Sequence, residues 1–111
     1  MKYLLLLCSD VAGPEASGTA EMPGCGDWTE VMRRRGILHD AGGLQPATSA
    51  TTIRVREGDV LLTDGPFAET KDQIGGYSVI ECADLDEAIG IVAAHPWAGY
   101  GMIEIRPMRN G

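Results

Sequence analysis

The apolar positions fall into short blocks whose spacing changes along the chain, and those changes outline the elements. Residues 2–8 form a continuous apolar run, Lys2-Tyr3-Leu4-Leu5-Leu6-Leu7-Cys8, which predicts a central strand buried on both faces. Residues 10–26 contain Gly13, Pro14, Gly18, Pro23, Gly24 and Gly26, too many breakers for a long helix, and read as an irregular excursion. From Asp27 the period lengthens. Trp28, Val31 and Met32 fall at i, i+3 and i+4, so a short amphipathic helix is expected, opened by an Asp27-x-x-Glu30 capping box and stopped by Gly36.

Residues 37–48 carry Gly42-Gly43 and Pro46 and read as extended and interrupted. Thr51-Thr52-Ile53-Arg54-Val55-Arg56 alternates, Glu57-Gly58-Asp59 turns and residues 60–63 resume. This is a hairpin, with Gly58 supplying the turn's permissive φ. Residues 64–72 form a loop, and residues 75–82 a second long strand in which Tyr77 and Val79 alternate with Ser78 and Ile80. Asp84-Leu85-Asp86-Glu87 opens a second helix on an acidic first turn, with Leu85, Ala88, Ile89, Val92 and Ala93 as its apolar stripe. His95-Pro96 ends it, because a residue before proline avoids the helical region. Met102-Ile103-Glu104-Ile105-Arg106 is the last strand, limited by Pro107. Two helices that follow strands and pack on one face of an antiparallel sheet describe an α+β protein, a ferredoxin-like sandwich with an inserted β-hairpin. Residues 1–111 read as a single domain, without repeats or a linker.

Composition narrows the function classes. A formal net charge of −7 and a pI near 4.6 make nucleic acid and anionic membrane poor partners. The one basic run, Arg33-Arg34-Arg35, reads as a solvated helix face. The three cysteines, Cys8, Cys25 and Cys82, lack a C-x-x-C spacing and read as free thiols in a reducing compartment, Cys25 being the exposed one. The leucine run after Lys2 is shorter than a signal-peptide core, and no stretch approaches a membrane span, so a cytoplasmic protein is expected. No phosphate loop, dinucleotide fingerprint or H-E-x-x-H is present. Neither a metal nor another cofactor is expected.

The longest run of distinctive residues is Thr63-Asp64-Gly65-Pro66-Phe67-Ala68-Glu69-Thr70-Lys71-Asp72-Gln73-Ile74-Gly75-Gly76-Tyr77. It resembles the motif of the DGPF, or YCII-related, proteins. Met1-Lys2-Tyr3, Leu44-Gln45-Pro46, Thr51-Thr52-Ile53-Arg54 and Glu104-Ile105-Arg106-Pro107 resemble the same family, which extends the likeness over nearly all of the chain except residues 10–26. The resemblance implies a dimeric α+β barrel in which two ferredoxin-like sheets pack face to face. It also implies a possible association with an alternative sigma factor, whose genes neighbour those of DGPF proteins. In the wider group a histidine–aspartate dyad resembles an active site, its aspartate lying in an Asp-Pro-aromatic turn after the second helix. Here His95-Pro96-Trp97 occupies that turn, and residues 27–35 hold no histidine to match the other partner.

The candidate catalytic residues are therefore His95, whose imidazole titrates near neutrality, and Asp64. Glu69, Lys71, Phe67 and Trp97 are the candidate substrate-binding residues. The expected chemistry is cofactor-independent proton transfer on a small molecule by a His/carboxylate pair. The alternative is a non-catalytic homodimer that binds the sigma factor. Each candidate also has a structural reading. Gly65-Pro66 suits a stiff corner, Phe67 an anchor and Asp64 an Asx-type turn. His95 suits a helix C-terminus and Trp28 and Trp97 suit the core, while His39-Asp40 reads as loop and Glu104 with Arg106 as an ion pair.

Overall fold

Strand β1 (Lys2–Ser9) runs through the middle of a four-stranded antiparallel sheet in the computed structural model, which describes residues 1–9, 24–65 and 73–109. The remaining elements are helix α1 (Cys25–Arg34), strands β2 (Leu38–Gly43), β3 (Thr51–Arg56), β4 (Asp59–Asp64) and β5 (Gln73–Glu81), helices α2 (Leu85–Ala93) and α3 (Trp97–Tyr100), and strand β6 (Met102–Pro107). The sheet order is β2-β5-β1-β6, so each of the two β-α-β units skips over one strand of the other. Among the described residues, strands β3 and β4 pair only with each other, as the inserted hairpin. The expected α+β class is observed. Most of the irregular excursion and the loop residues Pro66, Phe67, Glu69 and Lys71 lie outside the described residues.

Period-2 alternation sorts the sheet into two faces. On β1, Tyr3, Leu5, Leu7 and Ser9 are buried while Leu4, Leu6 and Cys8 are half-buried. Ile80 and Ser78 stand opposite Tyr3 and Leu5 on the buried face, and Ile105 and Ile103 oppose Leu5 and Leu7 from β6. Trp28 and Met32 of α1 and Ala88, Ile91 and Val92 of α2 join the same core, so both helices cover one face. The strand expected to be buried on both faces is thus covered on one only. Leu4, Leu6, Tyr77 and Val79 line the other.

The helix ends show how local chemistry set the boundaries. Gly24, with φ 90°, caps α1 three residues ahead of the expected cap at Asp27, and no side chain caps it. The Asp27–Glu30 capping box therefore does not form, because Asp27 lies inside the first turn, where its charge favours the helix dipole. Val31 is exposed, leaving Trp28 and Met32 as the buried stripe. Gly36, with φ 74°, stops the helix as expected, and the Ile37 N–H returns to the Met32 carbonyl at 2.9 Å. The hairpin turn places Glu57 as well as Gly58 at positive φ, 52° and 82°, as a two-residue primed turn requires.

On α2, Asp84 caps the Glu87 N–H at 2.9 Å, and Glu87 reaches back to the Ala83 N–H at 3.1 Å. Its buried stripe is rotated from the expected one. Leu85 and Ile89 are exposed, and the buried residues are Ala88, Ile91 and Val92. Continuing that stripe by one turn reaches His95.

Candidate functional site

His95 is 5% exposed, at the C-terminal end of the α2 stripe. Two contacts fix its ring. Its centroid lies 4.5 Å from that of Trp28 at a 57° tilt, and the Trp97 N–H donates to its Nδ1 at 3.0 Å. Pro96 has no N–H, so the Trp97 amide is the first downstream donor that can turn back onto the ring. A backbone N–H can only donate, so Nδ1 must carry the lone pair and neutral His95 must carry its proton on Nε2. Burial lowers the pKa of the ring from its ordinary value, which holds it in this neutral form near pH 7.

The Nε2–H faces a cleft. His95 lines an opening of about 300 Å³ with Thr29, Glu30 and Arg33 of α1 and Ala41, Gly42, Tyr77 and Ser78 at the β2–β5 edge of the sheet. No hydrogen bond to Nε2 is made by any described residue, and no buried side-chain nitrogen or oxygen there lacks a partner. Nε2 must therefore reach solvent through the cleft. The same holds for Ser78 Oγ, whose residue is 3% exposed and makes no side-chain hydrogen bond among the described residues. The cleft floor thus offers two polar atoms with spare hydrogen-bonding capacity. On the opposite face of the sheet the Tyr77 hydroxyl donates to Asp40 Oδ2 at 3.2 Å, and that carboxylate raises the phenol's pKa. Gly42 leaves room for the ring, since a Cβ there would meet Tyr77 Cε1 at 2.9 Å.

The expected site residues lie in different places. His95 is in the cleft. Asp64 is exposed at the end of β4 and does not line it. The carboxylate that shares the cleft with His95 is Glu30, which pairs with Arg34 at 3.5 Å. Trp97 is 2% exposed and sits behind His95, its indole N–H donating to the Cys8 carbonyl at 2.9 Å. Phe67, Glu69 and Lys71 lie outside the described residues. His39 pairs with Glu81 at 2.9 Å rather than standing free in a loop, and Glu104 pairs with Arg106. Among the described residues no group of three or more His, Cys, Asp or Glu side chains could hold a metal, and no helix is long and apolar enough to cross a membrane.

Sequence reasoning missed Ser78, Thr29, Glu30 and Arg33. Ser78 had a signal: it alternates with Ile80 on the inward face of β5, where an unpaired hydroxyl is costly unless it faces water or a ligand.

The neutral ring also predicts a pH effect. The unfolded histidine takes up a proton near pH 6.5, whereas the folded ring resists until lower pH. Stability from this group is therefore fully present above pH 6.5 and lost as pH falls from there through the folded pKa. Urea unfolding of the wild type and His95→Gln across that window should show the wild type losing the more stability on acidification. Parallel curves would contradict the buried neutral ring.

Comparison with known proteins places the chain. The model of the YCII-related domain matches residues 1–110. An uncharacterized protein of Rhizobium meliloti (strain 1021) is 42% identical over 89 residues, covering 74% of this chain and 70% of the relative.

Proposed function

The chain belongs to the YCII-related family, and from that premise we propose that it is a small-molecule enzyme or binder whose working site is the His95 cleft. One observation carries this reading: His95 Nε2–H and Ser78 Oγ, on two deeply buried residues, have no protein partner among the described residues and share one opening. Both atoms reach solvent through the opening, so a ligand that displaces this water and supplies acceptors to them gains directed hydrogen bonds. The suited chemistry is cofactor-independent proton transfer. His95 polarises a ligand oxygen through Nε2–H without giving up its proton. Glu30 takes a proton from the adjacent carbon, and the electron pair of the broken C–H bond moves onto that oxygen. His95 thus serves as donor rather than base, because Nδ1 is occupied by the Trp97 amide.

The same reading makes the protein a homodimer, two ferredoxin-like sheets pairing as an α+β barrel. Its support is the half-covered face with Leu4, Leu6, Tyr77 and Val79, and the hairpin, whose Ile53, Val55, Val60 and Leu62 share one side at 56–67% exposure. A stable interface covers about 800 Å² per partner, and these two surfaces together offer apolar side chains to it. Asp64 ends the hairpin, and a substrate-binding role for Phe67, Glu69 and Lys71 of the motif that follows it belongs to the same reading.

An NMR screen of small polar compounds tests the site. Binding compounds are expected to shift the amide signals of Gly42, Ser78 and His95 together, and His95→Gln to weaken them about tenfold. Compounds that shift only other residues, or none that bind, would count against the cleft. Sedimentation analysis tests the dimer, which a monomer at every accessible concentration would contradict.

A further inference from the structure

We propose that the ligand of the His95 cleft is a small monocarboxylate, held by the Arg33 guanidinium together with Ser78 Oγ–H and His95 Nε2–H. This inference rests on the cleft's being the working site. It adds the charge and shape of what enters.

The polar groups around the opening are unequal in sign. At the floor, His95 Nε2 bears a proton and has no acceptor among the described residues, and its other nitrogen is taken. Ser78 Oγ can donate a second hydrogen bond beside it. At the rim are two charged side chains from α1. Glu30 is engaged with Arg34, one turn further along the helix. Arg33 forms no ion pair with any described residue, although the chain carries 16 acidic residues against 9 basic ones. In so acidic a chain, an unpaired guanidinium that lines the same opening as two unused neutral donors suits an anion.

The number of donors selects which anion. A planar carboxylate has two oxygens and one charge, which two neutral donors and one guanidinium satisfy. A phosphate monoester carries about −1.5 to −2 charges on three oxygens and would leave charge uncompensated here. A neutral amide of the same shape presents one oxygen and two N–H groups, and those N–H groups would oppose the donors already present. An opening of about 300 Å³ is at the small end of ligand sites, which suits a carboxylate with a short or single-ring body.

The test compares pyruvate and benzoate with pyruvamide and benzamide, following the Ser78 and His95 amide signals to obtain Kd for each. Each carboxylate is expected to bind at least about tenfold more tightly than its amide. Arg33→Gln, a change at an exposed position, should erase that preference while leaving the spectrum folded, and Ser78→Ala should weaken carboxylate binding several-fold. If acid and amide bind equally while shifting Ser78 and His95, or if Arg33→Gln leaves the preference intact, the carboxylate assignment fails and the cleft stands. If none of the four probes moves those signals, the carboxylate assignment fails, and the polar-compound screen decides separately whether the cleft is a ligand site.

Discussion

Replacing Trp97 with alanine is expected to remove about 3–5 kcal/mol of stability, the cost of emptying a large aromatic site in a packed core. Trp97 is 2% exposed, its ring lies 4.7 Å from that of Tyr100, and its indole N–H ties α3 to β1 through the Cys8 carbonyl. The truncation removes all three at once and leaves that carbonyl without its indole donor. The same residue's backbone N–H holds His95, so Trp97 links the core to the cleft. In a chain of this size each kcal/mol corresponds to roughly 4–8 °C in Tm, so thermal unfolding shows the change directly. Trp97→Phe keeps the ring but loses the hydrogen bond, and should cost about 1 kcal/mol beyond its smaller volume. A loss below about 1 kcal/mol for Trp97→Ala would mean that the indole is not a core residue. It would then belong with the cleft wall.

Gly101→Ala is the second large effect, and it acts at the same corner. A Cβ at Gly101 would overlap the Cys8 carbonyl oxygen and stand 3.0 Å from Trp97 Nε1. It would therefore wedge apart the donor and acceptor that join α3 to β1. The Cys8 carbonyl is backbone of a central strand, so relief has to come from the α3–β6 connection. The expected cost is about 1–3 kcal/mol from overpacking, with a further 1 kcal/mol or so if the indole hydrogen bond breaks. Urea unfolding of the variant measures it. The pairing of Cys8 with Met102 in β6 should loosen in parallel, read as faster amide exchange along that edge. An unchanged midpoint would mean that α3 and β6 move aside without cost.

Much of the sheet was legible because its cues are local. The Leu4–Leu7 run, the Glu57-Gly58 turn and the Gly36 stop each depend on neighbours in sequence. The stripe on α2 was not, because apolar residues surround that helix: Leu85, Ala88, Ile89, Ile91 and Val92 fit more than one facing. Only packing against β1 and α1 selects Ala88, Ile91 and Val92, and with them the inward position of His95. The start of α1 was misplaced because Asp27 imitates a cap that Gly24 supplies instead.

The candidate site was legible in one residue, His95. Its tautomer depends on a backbone amide two residues on, which no residue pattern encodes. Its carboxylate neighbour was sought in the loop motif at Asp64, whereas the cleft lining contains Glu30. Ser78, Thr29 and Arg33 carry no motif, since serine, threonine and arginine on regular elements are ordinary choices. They become notable only when the fold brings them to one opening.

The central claim is that His95 is a neutral imidazole presenting Nε2–H to a ligand cleft. Ring 15N chemical shifts of His95, recorded across pH with and without benzoate, test it most directly. The predicted result is an unprotonated Nδ1 and a protonated Nε2 at neutral pH, a pKa below that of free imidazole side chains, and an Nε2–H signal that moves when benzoate is added. A proton on Nδ1, or a ring that titrates at or above its ordinary value, would contradict the account.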